Sequence, residues 1–317
     1  MALPDVTCSS GVRLLSQLRS GEEWIKEPCI LGVDEAGRGP VLGPMVYASA
    51  FTTASTDITG RGYADSKTLT HASRSKLFGA IDADRGVGWV AHVMSAEHIS
   101  AGMLGREKTS LNAMAFDSTL AVIRTALDAG VNLTHVYVDT VGDAGRHRER
   151  LMRAFPGIEF TVCPKADSLY PIVSAASIVA KVLRDKALTD TQQSLGLTGE
   201  VGTGYPGDSA TTSWLRAHLH PVLGFPRLVR HSWETCNRLL EPPEGVTLRF
   251  EADEAEEGAG GGDGGGRGGQ QQKLSFARAP GAGGALGAAG AGCVETSGLG
   301  RATYFRARKL QRVAEAF

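Results

Sequence analysis

Asp34 and Glu35 stand side by side at the end of a short apolar run, Asp139 closes a second run, and Asp167 opens a stretch with helical periodicity. Carboxylate oxygens suit hard divalent cations, which keep several waters and need few protein ligands. Carboxylates gathered at neighbouring element ends could hold two such ions about 3.5–4 Å apart, one serving the attacking and one the leaving oxygen of a phosphodiester. Histidine or cysteine in the set would instead favour zinc or copper. Each acid also has an ordinary explanation. A strand-end Asp commonly forms a turn, and Asp167 could simply cap its helix. Taken residue by residue, a shared metal site and four unrelated polar ends both stay open. There is also a geometric difficulty, because adjacent strand residues point to opposite faces. The glycines that follow offer a way out if the strand breaks at Glu35.

The elements that must position these acids follow from hydrophobic patterning. Residues 29–33 form an apolar run of the kind expected for a buried strand. Gly37, Gly39 and Pro40 impose a turn, after which residues 41–51 predict a second, antiparallel strand, and residues 87–94 a third. Residues 110–129 have helical spacing, with Leu111, Met114, Ala115 and Leu120 available for one face. Residues 135–138 predict a strand ending at Asp139, and residues 159–163 another. Beyond Asp167, the residues Ile172, Ala175, Ala176, Val179, Val182 and Leu183 recur at helical intervals, with Asp167 as a possible N-cap. The expected fold is α/β, a mixed five-stranded sheet flanked by helices, with a helical C-terminal extension and a disordered tail. Sites in open α/β sheets collect at the carboxyl ends of strands. Asp34 and Asp139 meet there if the first and fourth strands are neighbours.

Composition divides the chain into four parts. Residues 1–27 read as a leader with a possible helix near 12–18, and residues 28–244 carry the folded pattern. Residues 245–300 begin with an acidic run, after which nine of the twelve residues 258–269 are glycine. Such a stretch cannot bury enough apolar area to offset its ordering entropy, so it reads as disordered. In residues 301–317, Arg301, Arg306, Arg308, Lys309 and Arg312 interleave with Tyr304, Phe305, Leu310, Val313 and Phe317, a short basic amphipathic segment suited to docking. The net charge of −1 decides nothing about a polyanionic partner, since a basic groove can coexist with an acidic tail. The five cysteines contain no CxxC pair and read as reduced thiols rather than a zinc site. No run of about 18 apolar residues exists, so no membrane span is expected.

The segment DEAGRGP at residues 34–40, continued as VLGPMVY, resembles the first motif of type 2 ribonucleases H, the ribonuclease HII family, and especially the catalytic subunits of its eukaryotic branch. Further stretches match in the family's order: ADSK at 64–67, VDTVG at 138–142, KAD at 165–167, VSAASIVAK at 173–181 and GTGYPGD at 202–208. The resemblance implies a ribonuclease H-like fold. It also implies hydrolysis of RNA in RNA–DNA hybrids and incision of duplex DNA at single ribonucleotides, leaving 3'-hydroxyl and 5'-phosphate ends. By motif match, Asp34, Glu35, Asp139 and Asp167 would hold two divalent ions, Mg or Mn. Gly37, Arg38 and Gly39 would approach the 2'-hydroxyl, the one group that distinguishes a ribonucleotide from its DNA neighbours. Tyr205 would pack on the sugar beside the cut. Lys67, Lys165 and Lys181 would contact phosphates, which position a duplex without reading sequence, and Asn112 would contact the DNA strand. Residues 186–201 are short and polar and lack the tryptophan that the family places before its Gly-Tyr-Pro loop, and Thr203 stands where the family has serine. The segment beginning Tyr304-Phe305-Arg306 resembles the end of the eukaryotic catalytic subunit, which implies a heterotrimer with two non-catalytic subunits and a nuclear location.

Three other readings compete. A junction resolvase or integrase-like nuclease of the same fold would not need the GRG turn or the GTGYPGD loop. An inactive nucleic-acid-binding subunit would not need all four acids. A phosphatase for small esters would need a phosphate loop that the sequence does not show.

Overall fold

The computed structural model describes residues 12–16, 22–63, 70–140 and 142–241 of the chain. The low-complexity run, the basic segment at 301–317 and Lys67 lie outside the described residues. One mixed sheet carries the fold, with strands β1 (Val12–Leu15), β2 (Cys29–Ala36), β3 (Met45–Thr53), β4 (Gly88–Met94), β5 (Leu133–Asp139) and β6 (Glu159–Cys163) in the order β1-β4-β3-β2-β5-β6. It has six strands where five were expected. The extra one is β1, in the stretch predicted as a helix near 12–18. The seven residues 12–18 are too few to sustain a helix on their own, whereas β4 offers an open antiparallel edge that pairs Val12 with Val93 and Leu15 with Val90. Ser16 ties the end of the pairing down, its amide donating to the Trp89 carbonyl and its hydroxyl accepting from the Trp89 amide.

β2 and β3 form the antiparallel centre, with the register Asp34↔Ala48, Glu35↔Tyr47 and Ala36↔Val46. All nine residues of β3 are buried, as a central strand covered on both faces requires. It starts at Met45, later than residue 41. Val41 and Leu42 instead leave the sheet to join Trp214, Phe225, Leu228 and Val229 in a third apolar cluster. β2 pairs in parallel with β5, up to Val33↔Val138. The expected adjacency of the first and fourth predicted strands is therefore present.

Helices cover both faces. The helix α3 (Leu111–Asp128) starts at Ser110, whose side chain accepts from the Ala113 amide, and its apolar face packs with Cys29, Leu31 and Val33. On the other face lie α1 (His71–Ala83) and the long helix α6 (Pro171–Ser194). Asp167 does not cap α6. It sits in a separate one-turn helix, α5 (Ala166–Leu169), and α6 begins afresh with Pro171 at its first position. Proline fits there because the first helical amides have no partner to lose. The start of α6 lies so close to β2 that a Cβ on Gly32 would come within 2.5 Å of the Ile172 carbonyl carbon. The remaining helices are α2 (Ala96–Leu104), α4 (Ala144–Ala154), α7 (Ser209–Ala217) and α8 (Glu234–Leu240). The last two form the expected helical extension. Trp214 of α7 reaches back to donate its indole N–H to the Thr198 carbonyl, so a tryptophan from the following helix braces the loop that lacks one of its own. Among the described residues no helix is long and apolar enough to cross a membrane.

Candidate active site

The parallel pairing of β2 with β5 decides where the acids go. Asp34 and Asp139 each follow the last paired position, Val33↔Val138, on neighbouring strands. The break proposed at Glu35 does not occur: β2 continues through Ala36, still paired with β3. The pleat is kept, and the two acids use opposite faces of the strand. Asp34 turns toward α6, where it hydrogen-bonds to Ser177. Glu35 turns toward Tyr47, which stands directly across on β3 and hydrogen-bonds to it. At the sheet's end both faces open, and two clefts meet. One is lined by Asp34, Glu35, Asp139, the turn at residues 37–40, Lys181 and Tyr205. The other shares Glu35, Arg38 and Asp139 and continues past Tyr47 and Asn112.

The electrostatics of the acids follow from this packing. Burial pushes the Asp34 carboxyl up to about 8, and the charges of Glu35 and Asp139 push in the same direction against hydrogen bonds from Ser177 and the Glu35 amide. One Asp34 oxygen accepts from the Glu35 amide at 2.7 Å, and one Asp139 oxygen accepts from the Ala166 amide at 3.0 Å. The second bond brings α5 against the site, with Asp167 buried beside it. Burial also raises the Tyr47 hydroxyl well above its ordinary value, with the Glu35 charge adding to it. Among the described residues no three acid, histidine or cysteine side chains already close into a metal cage. The donor set nevertheless fits a hard cation. It consists of carboxylates, it is partly buried, and its like charges repel at close range. A divalent cation would reverse the penalty that holds Asp34 protonated.

The turn after Glu35 is fixed from beneath by a residue far along the chain. Arg230 is fully buried, and its guanidinium donates to the carbonyls of Gly37, Arg38 and Gly43. It stacks on Trp233, whose indole N–H donates to the Gly39 carbonyl. Burial and the neighbouring Arg184 lower the Arg230 guanidinium to about 9. With its carbonyls held from below, the turn keeps a fixed shape at the cleft. Gly37 takes φ +81°, and a Cβ on it would meet the Pro44 carbonyl oxygen at 2.6 Å. Gly39 lies under the Tyr205 ring, which a Cβ there would approach to 2.9 Å. Tyr205 is 52% exposed, so its face is available above the turn. Its loop is held by Asp208, which accepts from the Thr203 amide and hydroxyl, so the hydroxyl kept at Thr203 is in use.

The other expected residues are placed unequally. Lys181 lines the first cleft and pairs with Asp185 at 2.8 Å. Asn112 lines the second cleft and accepts from Arg38. Lys165 is exposed, takes the left-handed conformation at φ 58°, and belongs to neither cleft wall. Sequence reasoning missed Arg74, Ser177, Arg184, Arg230, Tyr47 and Trp233. Ser177 and Lys181 are one helical turn apart on α6, a spacing that could have flagged Ser177. Arg230 has no such signal, because its bonds span 187 to 193 positions.

The family model described as Ribonuclease HII matches residues 31–236. A ribonuclease H2 subunit from Rattus norvegicus is 50% identical over 238 residues, covering 73% of this chain and 79% of that protein. The Arabidopsis thaliana protein of the same description is 42% identical over 301 residues, covering 92% and 97%. Among solved structures, the ribonuclease H2 from Pyrococcus horikoshii OT3 superposes with a TM-score of 0.56 at 31% identity, covering 67% of this chain and 96% of that one.

Proposed function

The chain belongs to the ribonuclease HII family, and from that membership we propose that it hydrolyses RNA in RNA–DNA hybrids and incises duplex DNA at single embedded ribonucleotides. The observation that carries this reading is the shared cleft, in which Asp34, Glu35 and Asp139 face the turn at residues 37–40 and Tyr205. A hydrolytic centre and a backbone surface able to test for a 2'-hydroxyl stand within one substrate's reach.

Asp34, Glu35, Asp139 and Asp167 are the residues that would hold two divalent ions, Mg or Mn, which when bound supply Lewis acidity to the attacking water and the leaving oxygen. The protein's own groups do the rest. Arg230 and Trp233 hold the carbonyls of the turn, so that its backbone is set in advance to hydrogen-bond a sugar carrying the extra hydroxyl. Tyr205 packs on that sugar, a contact tolerant of base identity. Lys181, on the wall of the first cleft, meets phosphates and sets register, Lys165 and Lys67 are assigned phosphates by motif match alone, and Asn112 meets the DNA strand beyond Arg38. Water attacks the phosphorus on the 5' side of the ribonucleotide. The 2'-hydroxyl is recognised but not used as nucleophile, and the products carry 3'-hydroxyl and 5'-phosphate ends. We place the enzyme in the nucleus, in a heterotrimer with two non-catalytic subunits. The extent of the match to the Arabidopsis protein, well past the catalytic region, supports a shared function for the C-terminal part.

The test is a duplex containing one ribonucleotide, incubated with the full chain, Mg²⁺ and the partner subunits. Cutting is expected on the 5' side of that nucleotide, and an intact duplex defeats the assignment. Asp139→Asn is expected to abolish cutting while leaving hybrid binding in place.

A further inference from the structure

The helix α4, AGRHRERLMRA, holds four arginines and a single acid, Glu149, in eleven residues. Two of these arginines are engaged within the protein. Arg148 donates to the Phe160 carbonyl at 2.9 Å, and Arg153 pairs with Glu149 at 3.4 Å. The other two, Arg146 and Arg150, line the second cleft. They stand one helical turn apart, a spacing that puts both on one face at about 6 Å. Arg146 has only a long, solvent-exposed pair with Asp143, 3.4 Å apart with side chains 87% and 61% exposed. Such a pair contributes little and is readily exchanged for a better acceptor. Arg150 has no carboxylate partner among the described residues. Its guanidinium lies over the Phe116 ring, 3.6 Å from the centroid, a contact with the ring face that uses none of its five N–H donors. The same cleft is lined by Arg38 and Asn112, and it shares Glu35, Arg38 and Asp139 with the first cleft, so the arginines of α4 adjoin the acids.

We propose that Arg146 and Arg150 grip backbone phosphates of the bound nucleic acid beyond the cut site, making the second cleft an extension of the substrate groove; this rests on the nuclease reading above. A planar guanidinium pre-oriented on an aromatic ring suits bidentate phosphate binding. A weakly paired cationic wall next to a carboxylate centre also separates two tasks. The acids repel phosphates unless metal is present, and α4 supplies attraction that does not depend on it.

The test measures binding of the full chain to a fluorescent RNA–DNA hybrid by anisotropy, without divalent cation, across a salt series. Removing one phosphate-binding cation lowers the slope of log affinity against log salt by about 1. Arg146→Ala and Arg150→Ala are each expected to lower it by that amount, and the double variant by about 2. Arg150→Lys keeps the slope. Arg153→Ala removes the same charge from the same helix outside the cleft and leaves the slope at the parent value. Parent slopes in both alanine variants, with the parent chain binding and cutting hybrid, overturn the proposal and spare the nuclease reading. An equal loss in Arg153→Ala overturns it in favour of a general charge effect. A parent chain that binds no hybrid overturns both.

Discussion

A guanidinium that serves three carbonyl oxygens, as Arg230 serves those of Gly37, Arg38 and Gly43, cannot be exchanged for an ammonium without loss. Arg230→Lys keeps the charge but not the fork, and each buried carbonyl left unpaired costs about 1–3 kcal/mol. We expect a melting temperature lower by roughly 5 °C or more, at about 2–4 °C per kcal/mol for a domain of this size, together with a fall in kcat/KM as the turn loosens. A melting point within about 1 °C of the parent would show that the turn does not need the fork. Asp34 gives a pH dependence of definite sign. Its folded carboxyl titrates at about 8 against an ordinary value of 3.8, so the folded protein binds a proton that the unfolded chain has released. Metal-free stability from this group is therefore present at low pH and lost as pH rises through about 8. A divalent cation needs the ionised form, so its stabilising effect grows across the same window. Melting with and without Mg²⁺ at pH 6 and pH 8 should show the larger Mg²⁺ shift at pH 8, and Asp34→Asn should remove the difference. Equal shifts in the parent at both pH values would take Asp34 out of the metal site. Asp34, Glu35 and Asp139, which share one cleft, were legible in the sequence because strand ends and motif order both marked them, whereas Asp167 lies buried on α5 and lines neither cleft. Arg230 was not legible, since its partners are backbone oxygens that leave no trace in residue type.

At the scale of elements, the parallel pair β2–β5 and the helix α6 bring the site together, and Gly32 sets how closely they do so. A side chain there would meet the α6 backbone at 2.5 Å, not the flexible end of a neighbour. Gly32→Ala must push α6 off the sheet, and overpacking of this kind costs about 1–3 kcal/mol. The same shift moves Ser177 and Lys181 relative to Asp34, so activity should fall along with the denaturant midpoint. A variant as stable and active as the parent would mean that α6 has room to move. The strands β2 to β6 and the helices α3 and α6 could be read from the sequence because apolar runs and helical spacing are local signals, whereas α1, α2 and α4 went unread. The misread ones depend on something distant. β1 is a strand only because β4 has an open edge for it. The division between α5 and α6 turned on Pro171, whose fixed φ favours a helix start and whose missing amide breaks the continuity expected from Asp167. The pleat difficulty at Asp34 and Glu35 was a real feature, and the fold uses it. Asp34 lines the first cleft and Glu35 lines both, so a single strand end serves two clefts.

At the scale of the whole molecule, the near balance of 33 basic and 34 acidic residues conceals a separation. Acids gather at the sheet's end, Arg38, Arg146 and Arg150 line the second cleft beside Glu35, Asp139 and Asp143, and further acids crowd the stretch after residue 250. Composition alone could not reveal this, since the groove exists only once α4 is laid beside α3 and the turn. The C-terminal residues pose the corresponding question about partners. In residues 301–317, which lie outside the described residues, five basic side chains interleave with Tyr304, Phe305, Leu310, Val313 and Phe317, a composition suited to docking. Apolar side chains of that size are costly to leave in water and inexpensive to bury against a partner with acidic edges. If the chain assembles with the two non-catalytic subunits proposed above, deleting residues 300–317 is predicted to abolish their co-purification while leaving the melting temperature of the catalytic region unchanged. Phe305→Ala with Leu310→Ala should weaken recovery of the partners more than Arg308→Ala with Lys309→Ala, because the buried apolar contacts carry the affinity and the rim charges mainly its rate and salt sensitivity. Undiminished recovery of both partners after the deletion would move the docking surface elsewhere on the chain.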